Sequence, residues 1–194
     1  MADRIGARWP AHEDGSIRRV DWRTLVVALA GAGALAVLPG RFDDPAERLL
    51  FGAYFLALVF LLATDLDQRL LPDLVTLPMI PLALVAAGLG VDPLVHGQLG
   101  LSIVAAVALP LGMYLLSIPF GAGAIGTGDL KLLVSVGLLS GLARGVIAII
   151  SAALLSGVVV LLLLGARRVT LRSYIPFGPF LIAGAFWAVL VSPG

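Results

Sequence analysis

No cysteine occurs in the 194 residues, which removes disulfides, thiol nucleophiles and cysteine-ligated metals from consideration. Histidine is almost missing as well. His12 and His96 both sit in polar stretches and read as solvated loop residues, so no histidine-rich metal site is expected and no cofactor is implied. Charge is scarce: Asp, Glu, Lys and Arg make up 13% of the chain, against about 25% in a soluble domain. A net charge of +1 describes no partner, and no nucleic-acid partner is expected. What fills the chain instead is hydrocarbon. Hydrophobic residues reach 60% and the mean hydropathy is +1.06. These values exclude an ordinary soluble enzyme and predict an integral membrane protein in contact with lipid.

A hydrocarbon core of about 30 Å needs roughly 20 helical residues. The apolar runs define seven spans, at 24–39, 49–64, 74–91, 99–120, 128–142, 145–165 and 175–191. Open strands leave unpaired backbone groups in lipid, and no alternating barrel pattern is present, so the spans read as helices. The expected fold is an all-α polytopic bundle of about seven transmembrane helices. A polar segment over 1–23 precedes a transmembrane domain over 24–194. That polar lead is long for a signal peptide, so the first run reads as an uncleaved anchor.

Positive charge orients the bundle. With the N-terminus in the cytoplasm, the inner side holds Arg4, Arg8, Arg18, Arg19, Arg23, Arg69, Lys131, Arg167, Arg168 and Arg172. The outer side holds Arg41, Arg48 and Arg144, a bias of ten against three. The run 128–142 is the weakest span. If it failed to cross, the bias would shrink to seven against six, so the rule favours a crossing with Arg144 snorkelling outward. Asp65 then closes the second span and Asp129 opens the fifth, both at the cytoplasmic face.

Two clusters interrupt the hydrocarbon. The first reads Asp65-Leu66-Asp67-Gln68-Arg69-Leu70-Leu71-Pro72-Asp73. Pro72 disfavours helix at Leu71, which predicts a break, and Asp73 is placed to be the N-cap of the next helix. Arg69 can snorkel to headgroups or hold Asp65, and Asp67 can be a solvated loop charge. The second cluster runs from Gly121 to Lys131 and contains Gly126-Thr127-Gly128-Asp129. Its glycines permit close approach of another segment, and Asp129 complements the positive end of a helix. Lys131 faces headgroups or a carboxylate. The spacing is not that of a P-loop, and no Ser/His/Asp triad, nucleophile elbow or metal motif is present. Two carboxylates forced together hold one proton between them and can polarise water. By themselves the residues fit either an aspartate-dyad hydrolase or a small transporter working through buried aspartates.

The run from Asp65 to Pro78 resembles the first aspartate block of the type IV prepilin peptidases. Gly126-Thr127-Gly128-Asp129-Leu130-Lys131-Leu132-Leu133 resembles their second, GxGD block, and Ile175-Pro176-Phe177-Gly178-Pro179-Phe180-Leu181 a third stretch. The resemblance covers about 49–191. It implies an intramembrane aspartyl protease in which Asp65 and Asp129 are the catalytic pair and neither Asp67 nor Asp73 is. Gly126, Gly128, Lys131, Arg69, Pro176, Phe177 and Gly178 are candidate substrate-binding or supporting residues. The implied partners are prepilins or pilin-like precursors and membrane lipid, and the implied location is the bacterial inner membrane. Many relatives carry a further cytoplasmic segment with paired cysteines that supports N-methylation. The cysteine-free chain is therefore expected to be a peptidase without methyltransferase activity, similar to the compact members associated with Flp-type pili. A non-proteolytic scaffold for pilus assembly and a small transporter are the alternatives.

Overall fold

The computed structural model describes residues 22–121, 125–168, 170 and 176–190, and every regular element among them is helical. The basic residues expected at the extreme N-terminus, Arg172, and the ends of the 175–191 span lie outside the described residues. Six helices follow one another: α1 (Trp22–Arg41), α2 (Pro45–Gln68), α3 (Asp73–Gly88), α4 (Leu99–Ser117), α5 (Thr127–Gly165) and α6 (Gly178–Leu190). A 3-10 turn, Ile118–Phe120, follows α4.

Local chemistry sets several boundaries. The side chain of Asp44 accepts from the Ala46 N–H at 2.6 Å, Pro45 takes the first helical position and Glu47 lies in the first turn, so α2 starts on three concurrent signals. It ends where Arg69 turns left-handed (φ 52°, ψ 40°) and returns its N–H to the Asp65 carbonyl at 2.9 Å. Pro72 caps α3 in extended conformation, so the break expected before Asp73 is present. Asp73 itself is not the cap. It lies one residue inside the helix, because Pro72 has the extended backbone that the cap position requires.

The two runs expected at 128–142 and 145–165 are both helical and together make up α5, which is interrupted at Gly141. The backbone there has φ 70° and ψ −176°, an arrangement open to glycine and strained for other residues. The interruption therefore falls at Gly141, not at the expected 143–144, because backbone freedom decides it more than polarity does. Four helices (α1, α2, α4 and α5) are long and apolar enough to cross a membrane, and α3 and α6 are shorter apolar helices of 16 and 13 residues.

The core is built on α2, where Phe51, Tyr54, Phe55, Leu58 and Leu61 are buried. Leu132, Leu133, Val136 and Leu139 of α5 and Leu181, Ile182 and Ala185 of α6 close around them. Phe42 stacks on Phe51 with ring centroids 4.2 Å apart, and Phe55 meets Phe186 at 5.1 Å. Small residues let backbones approach. A Cβ on Gly137 would lie 2.7 Å from the Ala105 carbonyl carbon, and one on Gly184 would collide with the Ala148 carbonyl oxygen. The outer faces carry Leu25, Leu29, Leu101, Val107, Leu111, Leu154, Leu161 and Leu162 in the open, a surface suited to lipid and not to water.

Candidate active site

Asp65 sits in the last turn of α2 and Asp129 in the first turn of α5, and both are buried, at 5% and 9% exposure. The two carboxyls lie within coulombic reach of each other. Their settings differ. Asp129 is the third residue after the Gly126 cap, and its carboxylate accepts the Gly126 backbone N–H. That is the reciprocal half of a capping box, by which a side chain in the first turn satisfies an orphan donor. Its helix-starting role and its place beside Asp65 therefore coexist. Asp65 Oδ2 is buried and accepts no hydrogen bond among the described residues. A buried carboxylate oxygen without a donor is costly to stability, and such a group calls for a functional explanation.

Three separate stretches of sequence meet here. Gly178, at the start of α6, is pressed on Asp65: a Cβ there would lie 2.6 Å from Oδ2 and 2.9 Å from Cγ. Gly128 is pressed on Leu71, whose Cβ would be 2.8 Å from an added Cβ. Lys131 donates to Asp73 Oδ1 at 2.6 Å, tying the start of α5 to the start of α3. So the glycines at 128 and 178 hold the aspartate-bearing segments at distances that no side chain permits. Gly126 has a looser fit, 3.3 Å from Asp129 Oδ2.

The remaining candidates fall around this centre. Arg69 is exposed and places its charge within reach of Asp65. Lys131 faces a carboxylate, as one of the two expectations held. Phe177 is half-buried against the core, and its carbonyl accepts from the Phe180 and Leu181 N–H groups, which starts α6. Pro176 is half-buried beside it. Asp67 is not a free loop charge: it pairs with Arg23 of α1 at 3.6 Å. His96 is exposed in the loop after α3, and His12 lies outside the described residues.

Sequence reasoning missed Leu71, the wall against which Gly128 fits. It also missed a polar group far from the aspartates. In the loop joining α3 and α4, Asp92 is wholly buried; its Oδ1 accepts the Leu94 N–H at 2.9 Å and its Oδ2 accepts none among the described residues. Arg144 donates to the Leu94 carbonyl at 2.7 Å. Burial raises the Asp92 carboxyl to about 7, against the opposing effects of the Leu94 N–H and Arg144. Tyr54, buried in α2, hydrogen-bonds Ser135 of α5 and feels the charge of Asp92. The only sequence signal for this group was an aspartate in a short polar interruption.

Among the described residues the chain is a helical, lipid-suited bundle that buries two carboxyls within coulombic reach of each other, wedged by glycines, and the class it defines is a helical membrane protein with buried acids. Within that class the chain belongs to the type IV leader peptidase family, whose sequence model matches residues 52–164. Among curated proteins, a prepilin leader peptidase/N-methyltransferase of Pseudomonas putida is 29% identical over 174 residues, 89% of this chain and 60% of the relative. Proteins of the same name from Dichelobacter nodosus and Burkholderia pseudomallei are each 31% identical, over 84% and 93% of this chain and 56% and 53% of theirs. The chain thus spans a little over half the length of these relatives. No solved structure matches it significantly.

Proposed function

We propose that this chain is an intramembrane aspartic endopeptidase that removes the short basic leader from prepilin or pilin-like precursors, with Asp65 and Asp129 as the catalytic pair. The observation that carries the reading is the approach, within coulombic reach, of two buried carboxyls from distant segments, one with an oxygen that accepts no hydrogen bond among the described residues, beside a glycine that admits no side chain. Family membership and the relatives' names, which pair a prepilin leader peptidase with an N-methyltransferase, supply the substrate class.

In the proposed reaction the pair holds one proton. The ionised carboxylate takes a proton from water as its oxygen attacks the scissile carbonyl carbon. The protonated carboxyl then gives its proton to the amide nitrogen, which leaves as the new amino terminus. Arg69 and Lys131 border the site, and Pro176 and Phe177 position Gly178 over Asp65.

We also propose seven crossings with the N-terminus cytoplasmic, in the bacterial inner membrane. An unbroken α5 of 39 residues would run roughly 58 Å, twice a bilayer core of about 30 Å. It would also carry Ala148 roughly 29 Å beyond Asp129 along its axis. Yet Ala148 touches Gly184, which lies only roughly 9 Å along α6 from Gly178 and its contact with Asp65. A chain that turns back at Gly141 brings Ala148 to roughly 8 Å above the level of Asp129, in agreement with α6.

The test is cleavage of a co-expressed pilin precursor by the wild type, Asp65→Asn and Asp129→Asn at matched membrane levels. Cleavage by the wild type and loss in both variants is expected. Equal shortening by all three would assign the cut to another peptidase and return the chain to a scaffold or transporter role.

A further inference from the structure

The group around Asp92 has no part in the proposed chemistry, and it lies at the opposite end of the bundle. Glu47, at the start of α2, acts electrostatically on Asp92, whereas Asp65 is roughly 27 Å further along that helix at 1.5 Å per residue. Wholly buried acids in a lipid-suited protein are costly and are retained for a purpose. Here one buried and one half-buried side chain grip a single residue. Asp92 Oδ1 takes the Leu94 N–H and Arg144 gives to the Leu94 carbonyl. Leu94 and Val95 are themselves buried, and Val95 Cγ1 would lie 3.7 Å from a Cβ on Gly141. The loop thus lies beside the point where α5 breaks.

From this geometry we infer that Asp92 and Arg144 are positioning residues for Asp129. Their grip on Leu94 fixes the inclination of helix 127–140 at the Gly141 break. The inference rests on the peptidase reading for its catalytic consequence, not for its mechanics.

The lever arm makes the effect large. Asp129 stands roughly 18 Å from Gly141 along the helix. A tilt of about 5° at the break moves Asp129 by roughly 1.6 Å, and a misplacement of about 1 Å can cost about 100-fold in rate. Gly137 adds a second bearing surface, because its backbone packs closely on that of Ala105 and Ala106, four residues from the break. Tyr54 and Ser135 lie between the two ends and link α2 to the same helix segment.

The cysteine-free chain allows a direct test. Spin labels at Leu70→Cys and Thr127→Cys, both exposed and flanking the two aspartates, report the separation of their helices. Cleavage kinetics are measured on the unlabelled full chain. Asp92→Leu and Arg144→Met should lower kcat by at least about tenfold with KM within about twofold, and should broaden the label separation. Asp92→Asn and Arg144→Lys, which keep an acceptor and a donor for Leu94, should regain most of the kcat and narrow the distribution.

Unchanged kcat in the Leu and Met variants, or lost kcat with an unchanged label separation, overturns the inference. If those two variants do not insert, the Asn and Lys variants carry the test. Both must then keep kcat and label separation near the wild type, and a fall in kcat without a label shift, or a shift without a fall, overturns it. A wild type that cuts no precursor but whose label separation responds to these variants supports the clamp and overturns the peptidase reading.

Discussion

Gly178 and Gly128 make the sharpest case at the residue scale, because each leaves less room than a methyl group requires. In Gly178→Ala the new Cβ would lie 2.6 Å from Asp65 Oδ2, so the carboxyl must rotate or α6 must withdraw. Either motion is near 1 Å, and leader cleavage should fall by about 100-fold while the protein inserts normally. Gly128→Ala meets the Leu71 side chain instead, 2.8 Å from its Cβ. It should lower cleavage less, and Leu71→Gly, which removes the clashing Cβ, introduced with it should restore part of the rate; two losses that simply add would disprove the contact. Asp65 and Asp129 were legible in the sequence because acids are rare in this chain and end apolar runs. Gly178 was legible only as part of a motif. Nothing in a linear string says that its hydrogen faces a carboxylate. Leu71 was invisible for the same reason, being one leucine among many.

Among the elements, charge pairs turn out to be ties between helices. Lys131 and Asp73 join α5 to α3 with side chains 34% and 58% exposed. An ion pair that wet contributes about 0–1 kcal/mol. Lys131→Met should therefore shift thermal unfolding in detergent only slightly, and a loss of several kcal/mol would mean the pair is shielded in the membrane. The N-cap of α2 is a stronger local device, and Asp44→Ala should cost about 1 kcal/mol, read from the same unfolding curves. Helix existence followed from hydropathy, and α2 gained eight residues over the expected 49–64 because capping chemistry, not hydropathy, sets its ends. The expected cap role of Asp73 failed for a similar reason: Pro72 already had the required backbone. The split of α5 was anticipated, but its position was not, since Gly141 lies inside an apolar run and only its positive φ marks it.

Over the whole molecule, stability should depend on pH through Asp92, which sits in the loop outside the helices. Its folded value is raised from 3.8 to about 7, so the native state holds a proton that the unfolded chain has released. The stabilisation is complete below about 4 and is lost as pH rises through about 7, with a slope of at most about 1.4 kcal/mol per pH unit. Thermal unfolding in detergent should therefore fall between pH 5 and pH 8 by order of a few degrees. Asp92→Asn should flatten that dependence, and an unchanged slope would place the titrating group elsewhere. Class and helix content were determined by the sequence alone, which also named Asp65 and Asp129 as candidates, because a membrane's demand for long apolar runs and its penalty on charge act on each segment separately. Only the tertiary structure decided which carboxyls meet, which glycines admit them and where the long apolar run breaks. Those outcomes depend on contacts between residues over a hundred positions apart, such as Asp65 with Gly178, and on backbone angles that no single segment fixes by itself.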